Sequence, residues 1–224
     1  MHYLPNDLDK LFHSTGEHPF NFHAAVGMLE GICSIPIAAT SKFIAILGHP
    51  HSLQGGTQHN KVVVTLARAC RDLNIISFRF NFRGVGNSAG IFDHGIGESD
   101  DMCYLAKIIQ HSYPQSAILF AGFSFGSFVS YRAAAYSPHC LLISIAPPVP
   151  RFNFNLTPIA PSPWHIIQGE QDEVVEPSSV FDFAAQHQPP LAVHRFTDTG
   201  HFFHGQLLNL RQTITTIIQQ ELLL

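Results

Sequence analysis

Short apolar runs recur along this chain, and each is followed by a segment with helical spacing. KFIAILG (42–48), IISFRF (75–80), SAILFA (116–121), LLISIA (141–146), WHIIQG (164–169) and LAVHRF (191–196) share this form. A strand that is apolar throughout, instead of alternately, is covered on both faces. Between these runs the spacing predicts helices over 61–72, 98–111, 127–137, 178–186 and 207–222. The segment 98–111, for example, places Met102, Leu105, Ile108 and Ile109 on one stripe. Strand–helix alternation of this kind builds an α/β fold, a mostly parallel central sheet with helices on both faces. Reactive groups in such sheets gather at the carboxyl ends of the strands. Function is therefore expected in the loops after residues 48, 80, 121, 169 and 196.

Upstream, the runs at 25–31 and 32–36 read as two further strands at an antiparallel edge. Residues 1–22 show no sustained period and read as an N-terminal tail or irregular extension, leaving 23–224 as a single domain. Composition agrees with a well-cored protein. Of the 224 residues, 46% are apolar and 12% charged, about half the usual ~25%, which excludes a disordered chain. A formal charge of −4 gives no basic footprint for nucleic acid. No apolar run approaches the ~20 residues of a membrane span, and the first residues lack signal-peptide order, so a cytoplasmic protein is expected. Cys33, Cys70, Cys103 and Cys140 stand singly and read as reduced thiols, neither a disulfide framework nor a zinc ribbon. With 19 Phe and few charges an apolar surface patch is expected, which a homodimer would cover.

The sharpest motif is Gly122-Phe123-Ser124-Phe125-Gly126, entered from an apolar strand and left by a small-residue helix. That context is a nucleophile elbow: the glycines permit a tight turn and expose the Ser124 hydroxyl above the sheet. The Phe125 N–H, at the helix start, is placed to meet a developing oxyanion. A serine hydroxyl needs a base, and Thr199-Gly200-His201 follows the last strand. Between them lies Gly169-Glu170-Gln171-Asp172-Glu173. Asp172 would hold the His201 tautomer and stabilise its imidazolium. Glu170 and Glu173 compete for that place, and the position after the glycine turn favours Asp172. A second oxyanion donor is expected after the strand at 42–48, from the His51 N–H, since Pro50 has none; Ser52 and Leu53 are the alternatives.

From about residue 24 onward the chain resembles the small, capless α/β-hydrolases related to dienelactone hydrolases and prolyl-type serine peptidases. The matching blocks are HPHSLQGGTQHNKVV, RFNFRGVGNSAG, GFSFG, GEQDEVVEP and TGHFFHG. The resemblance implies an α/β-hydrolase fold and hydrolysis of an ester, thioester or amide of a small acyl substrate through Ser124, Asp172 and His201. Ser52 departs from the pattern, where relatives often carry proline. Capped members insert a lid after the strand that here ends near Ala146. Here the stretch before Trp164 holds Pro147, Pro148, Pro150, Pro158 and Pro161. It reads as a stiff loop carrying Phe152, Phe154 and Trp164 near the site. No metal or organic cofactor is expected.

Three rival readings are weaker. His49-Pro50-His51 resembles a two-ligand metal motif, with His201, His204 and Asp93 as completions, yet Leu53 stands where an acid is wanted. Gly84, Gly86 and Gly90 resemble a dinucleotide fingerprint, but a long loop follows instead of a helix. A catalytically inactive binding protein on the same fold would be expected to lack the serine or the histidine, and both are present. Arg79 and Arg83 flank a turn and read as structural ion-pair partners instead of substrate contacts.

Overall fold

The computed structural model describes residues 14–156 and 161–224. Its strands are β1 (Gly16–Ala24), β2 (Gly27–Ile35), β3 (Thr40–Gly48), β4 (Ile75–Phe80), β5 (Ala117–Phe123), β6 (Leu141–Ile145), β7 (Trp164–Gly169) and β8 (Ala192–Phe196). They form one sheet in the order β1-β2-β4-β3-β5-β6-β7-β8. β1 and β2 pair antiparallel with each other, and β2 pairs antiparallel with β4; every later pairing is parallel. The helices are α1 (Lys61–Asp72), α2 (Ile96–Ser112), α3 (Phe125–Tyr136), α4 (Pro177–Ala185) and α5 (Leu207–Leu222).

The pleat of each strand sends alternate side chains to opposite faces. From β3, Phe43, Ala45 and Leu47 join the core beneath α1 and α5, while Ile44 and Ile46 join the core beneath α2, α3 and α4. β4 to β7 are buried on both faces, as is β3 from Phe43, which is why they read as unbroken apolar runs. β8 corrects the expectation for 191–196, because it is the sheet's edge and its residues are exposed or half-buried. Local signals set the helix starts. The Asn60 side chain accepts from the Val62 N–H at 2.9 Å, and Glu98 accepts the Asp93 and Gly95 N–H groups at 2.8 Å each.

β1 corrects the reading of residues 1–22 as an irregular tail, because the strand begins at Gly16. Its inward residues, Phe20, Phe22 and Ala24, alternate as a half-buried strand should. Pro19 argues against a central strand, but β1 is an edge, where a missing N–H costs no ladder bond. The paired strands also lie earlier than the runs 25–31 and 32–36, because the turn falls at 25–26. Residues 1–13 lie outside the described residues.

Register positions the loops. β3 and β5 run level from Phe43 opposite Ala117 to Gly48 opposite Gly122. The loop after Gly48 therefore emerges beside the Ser124 turn. β7 and β8 end level, with Gly169 opposite Phe196, so the loops carrying Asp172 and His201 emerge together. Between Gly48 and Gly126 the backbones touch: a Cβ on Gly126 would collide with the Gly48 carbonyl, so only glycine lets α3 start this close to β3.

Among the described residues between β6 and β7 there is no helix or strand that could form a lid over the sheet's carboxyl end. Phe152 reaches that end, its ring 5.4 Å from Phe125. Trp164 and Phe154 do not. Trp164 opens β7, five residues and about 17 Å from the end that carries Asp172. There it stacks 5.0 Å from Tyr131 and 6.2 Å from Phe154. The expectation overlooked that the connection must return to the amino end of β7. Arg79 and Arg83 take the structural role expected, pairing with Glu17 at 3.0 Å and Asp101 at 2.8 Å.

Candidate active site

Ser124 sits between β5 and α3 with φ 52° and ψ −122°. This is a conformation that residues with a Cβ rarely adopt. Two backbone bonds hold it: the Ser124 N–H donates to Ile145 O, and the Ser127 N–H donates to Ser124 O, both at 2.8 Å. The turn lifts the hydroxyl clear of the sheet, and the residue is partly exposed. Phe125 opens α3, so its N–H is one of the helix-start donors without an intrahelical acceptor.

The loops after β7 and β8 are laced together. Glu170 N–H donates to Phe196 O at 2.9 Å and Gln171 N–H to Thr199 O at 3.0 Å. His201 N–H donates to the Glu173 carboxylate at 3.1 Å. The three acids are placed differently. Glu173 fixes the His201 backbone, Glu170 is exposed, and Asp172 Oδ2 lies 2.8 Å from His201 Nδ1. His201 Nε2 lies 3.1 Å from Ser124 Oγ. With Asp172 accepting at Nδ1–H, Nε2 is left as the acceptor for the serine proton. The Phe123 ring, 4.9 Å from the imidazole, packs beside it.

Asp172 is saturated with donors. Oδ1 accepts the Val174 and Val175 N–H groups at 2.8 and 2.7 Å, and Oδ2 also accepts Gln168 Nε2 at 3.0 Å. Burial pushes the Asp172 carboxyl up, but the bonds from His201, Val175 and Val174 together prevail and hold it below the ordinary value. Gln168 was not singled out in the sequence. The signal was there, an amide at the end of an otherwise apolar strand that had to find a partner.

His51 and Phe125 are brought together, their rings 5.1 Å apart, with Phe92 4.8 Å from His51. His51 Nδ1 accepts the Leu53 N–H at 3.3 Å and starts a single 3-10 turn, Ser52–Gln54. Burial lowers the His51 basicity, and Arg151 and His94 add to this against the pull of Glu98. His49 is fully buried. Its Nδ1 donates to Pro50 O at 2.7 Å and its Nε2 accepts the Phe82 N–H at 2.9 Å. Both nitrogens are committed, so His49 is an internal strut between the loops after β3 and β4. Among the described residues no three His, Cys, Asp or Glu side chains are grouped to hold a metal. The glycine-rich turn after β4 packs Phe92 against Phe125 at 5.5 Å and forms a wall of the site. No helix among the described residues is long and apolar enough to cross a membrane.

No family model matches the chain. It is similar to XC6422 from Xanthomonas campestris, described as a member of the α/β serine hydrolases without lid. The two share 41% identity over 92% of this chain and 95% of that one, with a TM-score of 0.88. It is also similar to an α/β serine hydrolase homologue from Coxiella burnetii, at 39% identity over 92% and 99% of the two chains and a TM-score of 0.87. A protein of Rickettsia prowazekii (strain Madrid E), RP471, is 32% identical over 72% of this chain and 69% of its own length. With such identities across nearly the whole fold, the chain belongs to the α/β serine hydrolases that have no lid.

Proposed function

We propose that this hydrolase cleaves a carboxylic ester, thioester or related acyl bond of a small substrate through Ser124, His201 and Asp172. The observation that carries the reading is the unbroken line Asp172–His201–Ser124, with contacts of 2.8 and 3.1 Å. His201 takes the Ser124 proton as Oγ attacks the acyl carbon. The oxyanion is met by the backbone N–H groups of Phe125 and His51, donors that commonly contribute 10² to 10³ in rate each. His201 then gives its proton to the departing group, leaving an acyl-enzyme. Water, activated by the same imidazole, releases the acid. Throughout, Asp172 orients the ring and stabilises its charged form.

The uncovered carboxyl end of the sheet favours small or protruding acyl groups. Four unpaired cysteines, two of them buried, support a cytoplasmic setting. The test is mass spectrometry after treatment with a fluorophosphonate, with the adduct mapped by peptide. Stoichiometric labelling of Ser124, abolished by His201→Ala, is expected. A folded sample that takes no label would overturn the reading.

A further inference from the structure

One groove next to the triad has no part in the chemistry above. A cleft of about 310 Å³ opens beside Phe202 and His204, bounded by Thr57, His59 and Lys61. It shares His59 and Lys61 with a second cleft of about 540 Å³, which continues along α1 past Arg68 to Leu207, Leu208 and Arg211. The two form one path leading from the neighbour of His201 out across α1 and α5.

Its charge runs against that of the chain. The sequence has 16 acidic residues to 12 Lys and Arg, yet the walls of both clefts hold Lys61, Arg68, Arg211, His59 and His204 and no carboxylate. Arg211 is committed to Asp72. Lys61 and Arg68 are exposed and, among the described residues, have no acidic partner within ion-pair distance. Seven residues apart on α1, they lie on one face about 10 Å from each other. Lys61 stands at the helix start, where the dipole adds to its charge. The walls also carry exposed apolar surface: Phe202 in the first cleft is 42% exposed and Leu208 in the second 66%.

Geometry assigns the groove to one half of the substrate. The proton that His201 carries must reach the departing atom, so the leaving group lies on the His201 side of Ser124. Phe202, whose ring is 5.1 Å from that of His201, stands on this side. The rings of His51, Phe92 and Phe125 form a separate cluster, and none of them lines the groove.

Resting on the serine-hydrolase reading, we infer that the groove binds the leaving group and that this group is an alcohol or thiol bearing a phosphate. Lys61 and Arg68 hold the phosphate, and Phe202 and Leu208 carry the apolar stretch before it. Ser124 Oγ bonds to the acyl carbon as the carbon–oxygen or carbon–sulfur bond breaks. The proton taken from Ser124 passes through His201 to the departing oxygen or sulfur. The phosphorylated alcohol or thiol leaves along the groove with its phosphate unchanged, and water then frees the acid.

The test compares kcat/KM within two matched pairs: S-acetylpantetheine with its phosphorylated form, and acetylglycerol with acetylglycerol phosphate. In at least one pair the phosphorylated member is expected to be preferred tenfold or more at low salt; the pair that shows it identifies a thiol or an alcohol source. In K61E/R68E, both exposed sites, that ratio should fall to about one, and high salt should also compress it. A ratio near one in both pairs, or one that survives the double substitution, overturns the inference. p-Nitrophenyl acetate separates the two levels. If it is hydrolysed while the ratios stay near one, only the groove assignment fails; if it is not hydrolysed and Ser124 takes no label, the parent reading fails with it.

Discussion

Asp172 Oδ2 lies 2.8 Å from His201 Nδ1, and both side chains are almost fully buried. In so dry a place a carboxylate is effective in stabilising an imidazolium, and its geometry is fixed in advance by Val174, Val175 and Gln168. Replacing it isolates charge and tautomer from shape. Asp172→Asn keeps an oxygen for the two valine N–H groups. Gln168 Oε1, buried without a hydrogen-bond partner, becomes available to the new amide if the Gln168 side chain flips. We therefore expect kcat to fall by about 10³ to 10⁴ with the melting temperature nearly unchanged. Steady-state kinetics beside a thermal melt checks this; a loss below tenfold would remove Asp172 from the mechanism.

The backbone of Ser124, at φ 52°, sets a second test. Ser124→Ala retains the strained turn and deletes the hydroxyl, so turnover should vanish with stability unchanged. Ser124→Gly also relieves the strain, typically worth 1–3 kcal/mol, offset by the extra freedom of glycine in the unfolded chain. The glycine variant should be more stable than the alanine one by about 1 kcal/mol, a rise of roughly 2–4 °C. Equal melting temperatures would limit the strain to the ~0.4–1 kcal/mol that glycine's freedom in the unfolded chain costs.

Much of this was legible in the sequence because the signals were local. GFSFG between an apolar run and a helix could be read at once, as could Asp172 and His201, since each stands a few residues past a strand's end. β1 was hidden because Pro19 and its outward His and Asn residues mask the alternation of Phe20, Phe22 and Ala24. The position of Trp164 is not legible locally, because where a long connection returns is a property of sheet topology, not of neighbouring residues. The role of His49 as a strut is illegible for a similar reason: it depends on a partner 33 positions away.

His49 supplies the pH dependence. Burial pushes it down to about 3 against the Pro50 hydrogen bond, while an unfolded chain holds histidine near ~6.5. Between those values the unfolded state binds a proton that the folded state refuses. Stability from this residue is thus complete above pH ~6.5 and declines below it by about 1.4 kcal/mol per pH unit. His49→Gln cannot titrate. It should lower stability at pH 7 by disturbing the bond to the Phe82 N–H, yet lose less on going from pH 6.5 to 4.5. Urea melts across that range give the comparison; parallel curves would show that His49 is protonated in the folded protein.

Ser52 tests the oxyanion loop. Its hydroxyl is buried with no hydrogen-bond partner, and it opens the 3-10 turn that follows His51. His51, at φ −54° and ψ 120°, has the extended geometry that a following proline requires, and proline suits the first position of a helical turn. Ser52→Pro therefore removes an unsatisfied polar group and restricts the unfolded chain, which should stabilise by about 1 kcal/mol. Its catalytic effect discriminates between donors. Proline has no N–H, so if His51 supplies the second oxyanion bond, kcat/KM should stay within about twofold of the native value. A fall of 10² to 10³ in a well-folded variant would move that role from His51 to the Ser52 N–H.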